Sequence, residues 1–329
     1  MSSFVKLYIQ DSMTKDIVLP QWLDEIIYER FEAIFEPRPH DVVYNPEQPY
    51  DFVKLYLGTY FPRSFAEACC IVERLLGNTK YAEALHKIEE INIFDFCCGT
   101  GGEIFGMIYT LQSRLPNLKQ INVDAVDANP DSVRFLYHLA EEIKNEDAIT
   151  IDILINPQCL FIENDQGILD LINMFNKKYH FVLTFKALNE FVQSNTFPNE
   201  NIYYKIANHL LPLLAPHGLF ILSDVSTSLK DSNLYYPELM NKGLNELVQL
   251  TTDYKSILPH VCYFKERECK GCYMQEIFTV SHSRKINDRT KIAYRVLCCA
   301  DFADSIMLNV KHNTCRAINS FANKFSPYS

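Results

Sequence analysis

No apolar stretch in this sequence reaches the roughly 18–20 residues needed to cross a bilayer. The opening MSSFVKLYIQDSMTKDIV also lacks the charged leader and apolar core of a secretory signal. Neither a membrane span nor export is expected, and a cytoplasmic location is. Basic charge is in short supply too. With 31 Lys and Arg against 41 Asp and Glu, the net charge is −10 and the pI near 5.4. That balance argues against broad binding to nucleic acid, which normally shows as a basic surface. No internal repeat and no low-complexity segment is present. The 11 cysteines include the adjacent pairs Cys69–Cys70, Cys97–Cys98 and Cys298–Cys299, and their number is odd. They do not form the spaced framework of a secreted disulfide protein, so reduced thiols are expected. What remains is 329 residues, 48% hydrophobic and 22% charged, enough for one large domain with an elaboration or two modest ones.

Two regions differ in pattern. Residues 1–90 read as a helical and irregular cap. Trp22–Phe35 spaces its apolar residues at helical intervals. Glu36–Pro62 carries Pro37, Pro39, Pro46, Pro49 and Pro62, which predicts a structured loop. Ser64-Phe-Ala-Glu67 matches a capping box opening a helix to about Leu76. From Ile91 onward, residues 91–329 alternate strands and helices. Strands are expected at Ile91–Phe96, Ile121–Ala128, Thr150–Pro157, His180–Ala187 and Leu219–Asp224. Helices are expected at Gly102–Leu115, from Pro130 to about Asn145, at Asn201–Leu214 and at Pro237–Leu250. A terminal hairpin of Tyr273–Ser281 and Ile292–Cys299 follows. Such alternation predicts an α/β fold, a doubly wound and mostly parallel sheet with helices on both faces.

Ile91–Met107 carries the most chemistry. An apolar run ends in Asp95, breaks into Gly99-Thr100-Gly101-Gly102 and resumes as a helix. Glycines there permit positive φ and close approach of a ligand, and free N–H groups at the helix start face the same place. A nucleotide-like cofactor fits. A dinucleotide fingerprint would need a third glycine where Ile104 stands, and a P-loop would need Gly-Lys-Ser/Thr. Both are missing. Asp127 ends the second strand, where an acid can accept hydrogen bonds from ribose hydroxyls. Asp124 competes for that role, and helix capping is the structural alternative for Asp127.

The pattern Asp95-Phe-Cys97-Cys-Gly99-Thr-Gly101 resembles the first motif of class I S-adenosylmethionine-dependent methyltransferases, with Cys97 where the first glycine usually sits. The resemblance spans about Ile91–Cys299. It implies a Rossmann-like seven-stranded sheet ending in an antiparallel strand, with S-adenosylmethionine as cofactor. The loop, through Asp95, Cys97, Gly99, Thr100 and Gly101, would wrap the methionine part, and Asp127 with Ala128 would hold the ribose. In that family the segment after the fourth strand faces the acceptor. Here it reads Thr184-Phe-Lys-Ala-Leu-Asn189-Glu190 and lacks both the Asp/Asn-Pro-Pro-aromatic motif and a cysteine nucleophile beside proline. Glu190 or Asn189 would orient or deprotonate the acceptor. Arg63 is placed to grip a carboxylate, either the cofactor's or the substrate's, and Tyr56, Tyr60 and Phe61 to form part of a lid over the sulfonium; Arg63 and Tyr60 are thus expected among the cofactor-binding residues.

His260-Val-Cys262 and Cys269-Lys-Gly-Cys272 could close a zinc or iron–sulfur site. Abundant cysteine elsewhere favours plain thiols, and no metal is assigned. The layout also resembles a methyltransferase-like family associated with the mitochondrial small ribosomal subunit. The shared pieces are Tyr56-Leu-Gly-Thr-Tyr-Phe-Pro62, Leu188-Asn-Glu190 and the Cys262–Cys272 cluster. Two expectations follow: a methyltransferase acting on a small-molecule or peptide acceptor, or a ribosome-associated assembly factor on the same fold.

Overall fold

The computed structural model describes residues 16–37, 49–175, 177–229, 234–264, 275–308 and 310. The elements, in chain order, are β1 (Asp16–Val18), α1 (Gln21–Glu25, continued by a π-helical turn Ile26–Arg30), α2 (Pro49–Thr59), α3 (Phe61–Leu76) and α4 (Thr79–Leu85). The alternating part is β2 (Glu90–Phe96), α5 (Gly102–Arg114), β3 (Gln120–Asp127), α6 (Pro130–Ile143), β4 (Asp152–Cys159), α7 (Asp165–Met174) and β5 (Tyr179–Phe185). Next come α8 (Leu188–Ser194), α9 (Ile202–Leu210), β6 (Leu214–Val225), α10 (Tyr236–Thr251) and β7 (Tyr254–Leu258). The chain closes with α11 (His260–Tyr263), β8 (Glu276–His282), β9 (Lys285–Cys299) and α12 (Ala300–Met307).

One sheet runs β1-β8-β9-β6-β5-β2-β3-β4, with β7 also paired to β9. From β4 to β6 all pairings are parallel, and β9 runs antiparallel to β6 and β8. Central strands such as β2 and β5 are covered on both faces, which is why they read as unbroken apolar runs. The expected doubly wound architecture is present, but among the described residues the sheet has nine strands rather than seven. The excess has a simple cause. β9 is 15 residues long, enough to pair with β8 along its first half and with β7 near its end. β1 then adds three residues to the outer edge of β8.

The cap departs from the sequence pattern in three places. The first helix is short and ends by Phe31, where Glu32 turns left-handed at φ +52°. The proline-rich stretch expected to be a loop contains α2 and the start of α3. Pro62 lies in the first turn of α3, where its missing N–H leaves no bond unmade. Ser64 does not cap that helix; its N–H already donates to the Tyr60 carbonyl, so the helix begins earlier.

α3 lies directly on α5. A Cβ on Gly102 would stand 2.5 Å from the Phe61 carbonyl oxygen, and one on Gly106 would strike the Phe65 carbonyl. Only glycine lets the two backbones meet this closely. Three polar clasps also tie α3 to the terminal hairpin: Arg63 to Asp288, Glu67 to Thr290 and Arg74 to Glu276. Cap residues Phe65, Ala68 and Val72 share one buried cluster with Ile93, Ile108 and Ile121 of the sheet and α5.

Candidate functional site

β3 and β4 follow β2 on one side of the sheet, and β5 and β6 lie on the other. The winding therefore reverses between β2 and β5, and ligands of doubly wound sheets bind at the C-terminal ends of such a pair. The crevice here is lined by the turn after β2 and by Lys186–Glu190 after β5.

Three residues of the turn take positive φ: Cys97 at +63°, Gly99 at +50° and Gly101 at +83°. Cys97 accepts a left-handed conformation that disfavours any side chain. At Gly99 a Cβ would meet nothing within 4 Å, so this backbone faces open space. At Gly101 it would stand 2.6 Å from Leu136 Cδ1. Gly102 serves helix packing instead, as described above. Thr100 is buried and Ala128 exposed.

Asp127 joins the two strand ends. Its Oδ2 accepts from the Gly99 N–H and its Oδ1 from the Asn129 N–H, both at 2.8 Å. Capping of α6 falls to Asn129, whose side chain accepts from the N–H groups of Asp131 and Ser132. Each Asp127 oxygen keeps acceptor capacity for a further hydroxyl. Burial raises its carboxyl above the usual range, against those two N–H bonds. Asp124 is engaged elsewhere, with Tyr179 Oη at 2.8 Å, Asn156 at 3.0 Å and Lys177 at 2.6 Å.

Asp95 is fully buried, and neither of its oxygens has a hydrogen-bond donor among the described residues. Its neighbour is the buried carboxyl of Glu103, in the first turn of α5. Burial first, and then the other acid's charge, pushes Asp95 well above its ordinary value. A donorless buried acid beside a second buried acid defines a place for a cation.

On the opposite wall Lys186 turns left-handed at φ +54° and reaches back to Glu67, a fully buried residue of α3. Its Nζ donates to Oε1 at 3.1 Å and lies 3.0 Å from Oε2 as an ion contact. Asn189 faces inward. Its N–H donates to Asp224 Oδ2 at 2.9 Å. Its amide, oriented with nitrogen toward Asp224, donates to Oδ1 at 2.8 Å and to the Lys186 carbonyl at 3.0 Å. Asp224 also accepts from Tyr203 Oη and the Val225 N–H, yet burial pushes it up to about 7. Glu190 is exposed at the rim. Its carboxyl is raised by the low-polarity surroundings and then by the charge of Asp127.

The cap supplies the third side. Tyr56 and Tyr60 place their rings 4.9 Å apart. Burial, then Glu190, Tyr60 and Asp127, push the Tyr56 phenol up to about 12. Burial also raises the Tyr60 phenol, and Glu190 adds to it. Phe61 is buried against Phe105, so no open face is left to serve as a lid. Arg63 does grip a carboxylate, but that of Asp288, at 2.7 and 3.0 Å. His282 stands on the far side of Asp288, 4.0 Å away, and meets Tyr28 Oη at 2.9 Å. The site thus brings together Asp95, Cys97, Gly99, Asp127, Glu190, Tyr56 and Tyr60, and commits Arg63 and Asn189 to internal partners. Glu67, Glu103, Lys186 and Asp224 escape a reading of the sequence. Glu67 alone left a trace, an acid inside the apolar run of α3. Cys269 and Cys272 lie outside the described residues. Among the described residues no group of His, Cys, Asp or Glu could hold a metal, and no helix is long and apolar enough to cross a membrane.

No family model and no curated protein matches the chain. Solved structures of similar layout include an S-adenosylmethionine-dependent methyltransferase from Clostridium acetobutylicum, 11% identical, covering 72% of this chain and 91% of the other with a TM-score of 0.36. Magnesium protoporphyrin IX methyltransferase from Synechocystis, with bound SAM, is 12% identical and covers 83% and 96%, with a TM-score of 0.39. The rRNA methyltransferase aviRa from Streptomyces viridochromogenes is 12% identical and covers 73% and 86%, with a TM-score of 0.36.

Proposed function

We propose that the chain is an S-adenosylmethionine-dependent methyltransferase of a small-molecule or peptide acceptor. The supporting observation is the pairing at the switch point of a donorless buried acid, Asp95, with an acid at the end of β3, Asp127, across an open glycine turn. Asp95 suits the amino group of the methionine part, Asp127 the ribose hydroxyls, and Cys97–Gly101 the backbone cradle between them. No lysine is needed, because this cofactor carries no phosphate.

When bound, S-adenosylmethionine supplies a methyl group on a positively charged sulfur, so that aligning the acceptor accounts for much of the rate. The residues of this chain do the rest. Glu190 takes the acceptor's proton on its carboxylate; its raised pKa brings it closer to the neutral range where such transfer works best. Tyr56 and Tyr60, from the cap formed by residues 1–90, keep their phenol protons and exclude water from the rim. Asn189 holds the turn to β6 through Asp224 and acts by positioning. The excess of acid, −10 overall, favours a small or peptide acceptor over nucleic acid.

Calorimetry with S-adenosylmethionine tests the reading. Binding is expected, and Asp127→Ala should weaken it by about tenfold or more through loss of charge-assisted hydrogen bonds. Absence of binding by the wild-type chain refutes the assignment. A screen with radiolabelled methyl donor identifies the acceptor, and methylation confined to an RNA pool would overturn the acceptor class.

A further inference from the structure

Asp95 and Glu103 are neighbouring buried carboxyls at the start of the glycine turn and of α5, and among the described residues no donor reaches the Asp95 oxygens. Two neighbouring buried acids repel each other unless one carries a proton. The groups that face the pair come from every surrounding element. Asp127 on β3, Glu67 on α3 and the thiols Cys97 and Cys98 of the turn surround it, and Lys186 after β5 is the cation. Lys186 already balances Glu67, with which it is paired. Four carboxylates against one ammonium would leave a large buried negative charge. A proton shared by Asp95 and Glu103 cuts that charge, and so would a ligand's ammonium. Exchanging one for the other leaves the buried charge unchanged and gives the donorless oxygens their donors.

Resting on the methyl-donor reading, we propose that Glu103 is a second binding residue for a primary ammonium group. Asp95 and Glu103 share one proton in the ligand-free chain, and the ammonium of the ligand displaces it. The acid of the glycine turn thus works as half of a pair, whose other half lies in the first turn of α5. The proton leaves to solvent, the ammonium keeps its own three, and no covalent bond changes. The pair selects for the amino group itself, so a ligand with adenosine and sulfur but no amino acid should bind without releasing a proton.

The test is calorimetric titration of the full chain near pH 7 with S-adenosylhomocysteine and with methylthioadenosine, repeated in buffers of different ionisation enthalpy. S-adenosylhomocysteine should release about one proton per site, and methylthioadenosine none. Glu103→Gln should abolish the release and weaken S-adenosylhomocysteine about ten- to a hundredfold, the worth of a hydrogen bond to a charged group. Methylthioadenosine affinity should stay unchanged in the variant, which also shows that it is folded. Binding of both ligands to the wild-type chain with no proton released overturns the inference and leaves the methyl-donor reading intact. An unchanged proton count in Glu103→Gln overturns it as well. Binding of neither ligand overturns both.

Discussion

Glu67 gives the sharpest test of how the cap is held to the crevice. Its carboxylate is fully buried, Lys186 reaches it from the end of β5, and Thr290 Oγ1 donates to it at 2.7 Å. Glu67→Ala leaves the Lys186 ammonium, whose side chain is only 14% exposed, without its partner. Removing one member of a buried pair costs about 3–5 kcal/mol, and the slight exposure of Lys186 places this case near the lower figure. Lys186→Met should cost a similar amount, because Glu67 then stays buried and charged with one hydroxyl for company. The double variant Glu67→Ala/Lys186→Met removes the uncompensated charge, so it should lose far less than the sum. The cycle should return a coupling of about 2–3 kcal/mol. Urea unfolding can be followed by Trp22, the only tryptophan, which packs against the core from α1, and by far-ultraviolet circular dichroism. Coincident transitions would license the free energies. Single-variant losses that add to the double within about 0.5 kcal/mol would refute the reasoning.

Gly102→Ala drives a methyl group into the Phe61 carbonyl; it should destabilise by about 1–3 kcal/mol in urea titration, despite the better helix former. Asp224 is raised from its ordinary 3.8 to about 7, so folding takes up a proton between those values. Its contribution to stability is greatest below the lower value, falls as pH rises through the window and is level above it. Asp224→Asn should remove that slope from urea midpoints collected across the range; an unchanged slope would contradict the burial argument. Glu190→Gln should lower kcat about a hundredfold once an acceptor is known and leave S-adenosylmethionine affinity unaltered. Equal loss in both would make Glu190 part of the cofactor site instead.

The strands that line the crevice are legible because β2, β5 and β6 are covered on both faces and must be apolar throughout. Asp95 and Asp127 are legible for a related reason, since an acid that ends such a run stands out. The first half of β9 is not legible. Its inward-facing residue, Asp288, is satisfied by Arg63 rather than by apolar contact, so the stretch reads as a polar turn. α2 hid behind prolines that mark the starts of helices as well as loops. The link between Glu67 and Lys186 spans 119 residues, and an ion pair of that separation leaves no periodic trace. Gly102 misled differently: it belongs by pattern to the cofactor turn and by geometry to the seam with α3.

The three clasps between α3 and the terminal hairpin join residues 202–225 positions apart. Their partners, Glu276, Asp288 and Thr290, are synthesised long after α3. During translation α3 therefore waits with Arg63, Glu67 and Arg74 solvated until β8 and β9 have left the ribosome. Contacts of such long range form slowly, because the chain must close on itself before they reward it. Closure of the cap should be a late event in folding, and chains released before β9 should expose the apolar face of α3 to chaperones and proteases.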